Sequence, residues 1–173
     1  QEAIESGWKQ LNAGASALDV VEHTINLMED DPWFNAGIGG ALDIEKRVSL
    51  DASIMRGDTR EAGAVAKIRN IPHTISVTRK VMEESFHVFL VETGANSFAK
   101  NQGFETVPDS DFITDYQLYW WNKHDHPNPN TNRGTVGAVA LDTDGLIVSG
   151  TSTGGMSKNS SGRVGDTPII GAG

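Results

Sequence analysis

The stretch from Arg133 to Thr153 constrains this chain most. Apolar runs begin at Val136 and again at Leu146, with Asp144-Gly145 between them, which is the signature of a β-hairpin. Both runs are apolar without strict alternation, so the strands read as buried on both faces, with helices covering both sides of their sheet. A polar Thr135 stands at the mouth of the first strand, behind a polar stretch that ends in Arg133-Gly134. Ser152 and Thr153 close the second strand among glycines.

The rest of the chain mixes helix and strand periods. It opens in a helical pattern, "QEAIESGWKQLNAG". Residues 16 to 32 read as a second helix, with Ser16 and Asp19 at capping spacing. Ala17, Val20, Val21, Thr24, Ile25 and Met28 lie on one face of it, and Pro32 is its stop. A glycine-rich elbow, "PWFNAGIGGAL", leads to two strands, "VSLDASIM" and "AGAVAKI", split by the turn-forming "RGDTREAG". From Pro72 a helical period returns, with Ile75, Val77, Thr78, Val81 and Met82 inward. "HVFLVE" reads as a buried strand, and "GANSFAKNQG" as a short helix stopped by Gly103. Residues 108 to 134 begin with aromatic helical character and lose periodicity near Lys123, so about 122 to 134 is expected to be a linker or mobile loop.

Composition removes several functions. The 173 residues suit one domain. With no cysteine, a disulfide framework, a thiolate zinc site and a cysteine nucleophile are excluded, and a reducing, cytoplasmic setting is expected. A formal charge of −9 opposes nucleic acid and anionic membrane as partners. No apolar run approaches a membrane span, and residues 1 to 20 lack a signal peptide's core. The nineteen glycines imply much tight or closely approached backbone.

Several motifs are weak. "GIGGAL" follows a helix end rather than a strand, and "GTSTGGMSK" has phosphate-loop residues at the wrong spacing. His124-Asp125-His126 could bind a metal but reads better as a solvated loop. Glu29-Asp30-Asp31 is most simply the exposed end of a helix.

Two constellations carry more chemistry. Arg163 and Asp166, bracketed by glycines, are either a surface salt bridge or a clamp for a zwitterion, and composition favours the first. Thr135 is either a strand-edge β-former or a nucleophile. Cutting the Gly134–Thr135 bond would give it a free α-amine to act as base for its own hydroxyl.

At this point the motifs converge. "GTVGAVALDTDGLIVSGTSTGGMSKNSSGRVGDTPIIGAG" resembles the start of the β-subunit of plant-type asparaginases, the isoaspartyl peptidase/L-asparaginase branch of the N-terminal-nucleophile hydrolases. "PWFNAGIGGAL" with "LDASIMRGDTREAGAVAKI" is similar to their α-subunit core. The resemblance runs from about residue 10 to the end, broken mainly by the linker.

That resemblance implies an α+β, four-layer αββα sandwich, here cut short at both ends. Residues 1–134 would be α-subunit-like and 135–173 the start of the β-subunit, together one domain. It implies autocleavage between Gly134 and Thr135, with Thr135 as nucleophile, Thr153 as its hydrogen-bonding neighbour and Asn35 near its amine. Arg163 and Asp166 would hold the substrate's α-carboxylate and α-amine, which reverses the preference from composition. Backbone carbonyls of Met28, Glu29, Asp31, Phe34, Ala36 and Ile38 match a structural sodium site, and no cofactor is expected for catalysis. Expected partners are asparagine or an isoaspartyl dipeptide and the chain's own β-subunit, in a dimer of αβ heterodimers.

The departures are specific. The family's His-Gly-Gly strand before the first helix has no counterpart here, nor does its Thr-Gly oxyanion pair, whose donors are worth about 3 to 4 kcal/mol each. Glycosylasparaginase is an alternative, but that branch carries His-Asp directly before the nucleophile, where this chain has Arg133-Gly134. A non-catalytic fragment or degenerate homologue that only pairs with a partner chain is the other alternative.

Overall fold

The computed structural model describes residues 1–125 and 134–173, so His126 and Arg133 lie outside the described residues. Helix α1 spans Glu2–Asn12 and α2 spans Ala17–Asp30. The start of α2 is fixed twice. Ser16 Oγ accepts from the Asp19 backbone N–H at 3.2 Å, and the carboxylate of Asp142, far along the chain, accepts from Ala17 N–H at 2.8 Å. Both satisfy donors that a helix N-terminus leaves without partners.

Strands β1 (Leu50–Arg56) and β2 (Ala62–Ile68) pair antiparallel, with a bulge between Leu50 and Ala52. Helix α3 (Thr74–Glu84) crosses over to β3 (Phe89–Val91), which runs parallel to β2. Then come α4 (Glu92–Asn101), α5 (Asp115–Lys123), β4 (Val136–Leu141) and β5 (Ile147–Thr153). The five strands form one sheet in the order β3-β2-β1-β5-β4, so the hairpin docks its second strand on β1.

Helices α2 and α3 lie on the face of Ile54, Gly63 and Gly150, which are paired across three strands. A Cβ on Gly150 would come within 2.9 Å of Val21 and 3.0 Å of Ile25, and one on Gly63 within 2.0 Å of the Thr78 carbonyl. Glycine there lets the helices approach the sheet. Ile25, Ile54, Ile75, Val65 and Val81 fill the layer between. Truncating one of these isoleucines to alanine would cost about 2–5 kcal/mol.

Two expectations about coverage need correction. Among the described residues no helix covers the second face at the β4–β5 end: Val139, Leu141 and Ile147 are exposed, Val139 by 68%. Residues 167–173 lie beside this face instead. Ile170, Gly171 and Gly173 line a cavity with Ser53, Val139 and Thr151. Continuous apolar sequence establishes that a face is apolar, not what covers it. Likewise β3 is three residues at the sheet edge, and its Phe89 and Val91 are exposed rather than buried.

Helix α5 stops at Lys123, where the apolar period ends. It begins with a capping box between Thr114 and Gln117, and the buried Gln117 amide reaches the Gly40 carbonyl, pinning this helix beside the glycine-rich elbow. Among the described residues no helix is long and apolar enough to cross a membrane.

Candidate active site

Three adjacent strands, β1, β5 and β4, bring their ends together. Asp51 of β1 pairs with Thr153 of β5, and Ser152 pairs with Val136 of β4, so Thr135 arrives beside the end of β5. Thr135 is exposed, and its Oγ1 lies 3.0 Å from Thr167 Oγ1. Thr153 is buried, and its hydroxyl accepts from Gly155 N–H at 3.1 Å and from Asn35 Nδ2 at 3.5 Å. Among the described residues, a Cβ on Gly134 would meet nothing within 4 Å, so the space beside its Cα is open. Gly134 is not among the residues with positive φ, and the left-handed conformation that glycine permits is not used there.

Asn35 joins the two glycine-rich motifs. Its Nδ2 donates to the Gly155 carbonyl at 2.7 Å, its Oδ1 accepts from Ala41 N–H at 2.8 Å, and its own carbonyl accepts from Gly154 N–H at 2.9 Å. A Cβ on Gly154 would sit 2.4 Å from Gly40 Cα, so the motifs pack backbone against backbone. Their glycines serve this contact.

Among the described residues no ion pair joins Arg163 to Asp166, so the mutual salt bridge is not formed. The half-buried Arg163 guanidinium lies against Gly155 and Gly165, where an added Cβ would come within 3.2 Å of its nitrogens, while Asp166 is exposed. Beneath this loop sits Asp51, a residue the motif reading did not single out. Its carboxylate accepts from Lys67 N–H at 2.8 Å. Burial pushes this carboxyl up, opposed by hydrogen bonds from the Lys67 and Gly165 N–H groups and by the charges of Lys67 and Arg163. Burial in turn pushes the Lys67 ammonium down, and Lys67 Nζ donates to Ser49 Oγ at 2.6 Å. An aspartate inside an apolar strand was the available signal.

Glu29 corrects another expectation. It is fully buried rather than part of an exposed helix end. Lying four residues after Ile25, it faces the sheet. Its Oε1 accepts from Ser152 Oγ at 2.6 Å and from Ile75 N–H at 3.1 Å, while Oε2 has no hydrogen-bond partner among the described residues. Burial pushes its carboxyl up to about 8, so the acid is largely neutral at pH 7. Asp30 and Asp31 fit the simpler reading, contacting His73 and the Trp33 N–H respectively.

Around the elbow, carbonyls turn onto the glycine backbone. A Cβ on Gly37 would lie 2.2 Å from the Glu29 carbonyl oxygen, and one on Gly39 1.8 Å from that of Phe34. The Asp31 and Ala36 carbonyls accept from Phe34 and Gly39 N–H, and that of Ile38 from Gln117 Nε2. His124 stacks on Trp120 with ring centroids 5.6 Å apart, and among the described residues no group of three or more His, Asp or Glu could hold a metal.

A buried polar layer beneath an exposed threonine at a strand mouth narrows the possible classes, and similarity to known proteins settles the family. A family model described as Asparaginase matches residues 1–173, and the chain belongs to that family. It is 44% identical over its full length to an isoaspartyl peptidase/L-asparaginase of Danio rerio, of which it covers 58%. It is 47% identical, again over its full length, to a plant-type L-asparaginase of Pyrococcus abyssi, covering 61% of that protein. Over 98% of its length it is 43% identical to an isoaspartyl peptidase of Escherichia coli, covering 57%. The chain thus spans about three fifths of the length of these curated relatives.

Proposed function

We propose that this chain belongs to a threonine amidohydrolase of L-asparagine and β-aspartyl (isoaspartyl) dipeptides that cuts itself between Gly134 and Thr135. The observation that carries the reading is Thr135 itself, exposed at a strand mouth directly after Gly134, with its hydroxyl held at 3.0 Å by Thr167. In the uncut chain the Thr135 hydroxyl attacks the Gly134 carbonyl carbon. The C–N bond breaks as the hydroxyl proton is transferred to nitrogen, leaving an ester on Oγ1. Water hydrolyses that ester, releasing the Gly134 carboxylate and regenerating the Thr135 hydroxyl, now beside the free α-amine.

The amine then serves as base for its own hydroxyl. Oγ1 attacks the substrate's side-chain carbonyl, the proton passes to the leaving nitrogen, and water hydrolyses the β-aspartyl ester. Arg163 forks the α-carboxylate and Asp166 takes the α-ammonium, a role supported by the lack of a mutual ion pair. Thr153 and Asn35 lie beside the nucleophile's strand end as polar support.

The exposed apolar face at β4–β5 supports a second sheet packed there, completing the four-layer sandwich with the remainder of a β-subunit, in a dimer of αβ heterodimers. The absence of cysteine supports a cytoplasmic setting. The backbone carbonyls of Met28, Glu29, Asp31, Phe34, Ala36 and Ile38 would hold a structural sodium ion, a reading supported by the close packing of the Glu29 and Phe34 carbonyls against the elbow's glycines.

The test uses the full-length gene product. Wild type should split before Thr135 by intact mass and release aspartate from both substrates. Thr135→Ala should stay one chain and be inert, and Thr135→Ser should still cut, more slowly. Cleavage or turnover by Thr135→Ala would sink the mechanism.

A further inference from the structure

A nucleophile on an exposed strand mouth gains little restraint from packing, so its direction must come from a specific contact. Thr135 Oγ1 has that contact with Thr167 Oγ1 at 3.0 Å. Thr167 is buried, at 1% exposure, and its backbone is tied to the middle of the sheet. Ser53 Oγ donates to the Thr167 carbonyl at 2.8 Å, and Thr151 Oγ1 donates to the same oxygen at 3.1 Å. Ser53 and Thr151 are directly paired across β1 and β5, with hydroxyl oxygens 3.0 Å apart. Two adjacent strands therefore fix the backbone of a residue whose side chain reaches the nucleophile.

We propose that Thr167 is a positioning residue for the Thr135 hydroxyl, and that Ser53 and Thr151 set where its hydrogen bond points. The inference rests on Thr135 being the nucleophile. A second hydroxyl suits this position. As acceptor it holds the Thr135 proton to one side and leaves a lone pair of Oγ1 for the attacked carbonyl. As donor it meets the charge that develops on Oγ1 when the proton leaves. Thr167 neither loses its proton nor forms a covalent bond in either step. The same restraint acts before and after self-cleavage, because it involves the side chain of Thr135 and not its amine.

Thr167→Val keeps the shape and removes the hydrogen bond, and Thr167→Ser keeps the bond. In the full-length protein, Thr167→Val should lower kcat on a β-aspartyl dipeptide by about 10- to 100-fold, with KM within about twofold, and slow the split before Thr135 comparably. Thr167→Ser should stay within about threefold of wild type in both. Combined Ser53→Ala and Thr151→Val, which release the Thr167 carbonyl and leave its side chain in place, should lower kcat without raising KM, and this decides the matter if Thr167→Val does not fold. Wild-type kcat and processing in Thr167→Val, equal losses in the valine and serine variants, or an unchanged kcat in the double variant would overturn the proposal. Those failures occur in an active wild type. A wild type that neither splits nor hydrolyses would instead overturn the reading of Thr135.

Discussion

The carboxyl of Glu29, in the last turn of α2, accepts a hydrogen bond from Ser152 Oγ at 2.6 Å, one residue before Thr153 on β5. The helix that leads into the glycine elbow is thereby fastened to the strand that leads into the site. Because burial holds this acid largely neutral, an amide can replace it atom for atom, and Glu29→Gln should change stability by less than about 1 kcal/mol. Glu29→Ala should cost about 2–4 kcal/mol, since it opens a cavity and strands the Ser152 hydroxyl and the Ile75 N–H. Urea denaturation of both variants checks this, and equal losses would contradict it.

Asp142 links the hairpin turn to the start of α2, and its contribution should depend on acid. The Ala17 N–H, then those of Leu146 and Asp144, hold its carboxyl below the ordinary value of 3.8. A depressed folded pKa stabilises above the unfolded value, and the effect is lost as pH falls through the folded one. Asp142→Ala should therefore melt below wild type at neutral pH, and the gap should narrow as the pH falls below the ordinary value of 3.8. A gap that stays constant with pH would assign the loss to something other than this charge.

Arg163 should act in recognition. Arg163→Lys keeps the charge but not the planar fork, so kcat/KM with a β-aspartyl dipeptide should fall by about 10- to 100-fold. An unchanged value eliminates the clamp.

Sodium should raise the melting temperature through the carbonyls of the elbow, relative to a bulky organic cation at matched ionic strength. Neutralising Asp30 or Asp31 should leave that increment in place, because their carboxylates already bond His73 and Trp33. Identical melting in the two cations argues against the ion.

What could be read from sequence followed physical periodicity. The helical face of Val20, Val21 and Ile25, the Ser16 cap and the hairpin around Gly145 are local patterns, and each is present in the structure. Glu29 shows the limit. Its helical phase placed it on the inward side with Ile25, but its charge suggested solvent, and only the position of Ser152 on a distant strand explains its burial. Thr167 was hidden for a similar reason. It follows the Arg163–Asp166 pair that drew attention, and its neighbours Ser53, Thr151 and Thr135 are far from it in the chain. Side chains whose partners are set by sheet register leave little trace in a linear motif.

The ladder between β1 and β5 runs through six residue pairs, from Asp51–Thr153 to Arg56–Val148, and it lies in the interior of the sheet. Cleavage before Thr135 would put its two strands on different polypeptides. What had been a fold's own interior seam would become a quaternary interface, with no docking step and no search for a partner. The two products would be born assembled. They would behave as one body in native solution and part only when the sheet itself is denatured.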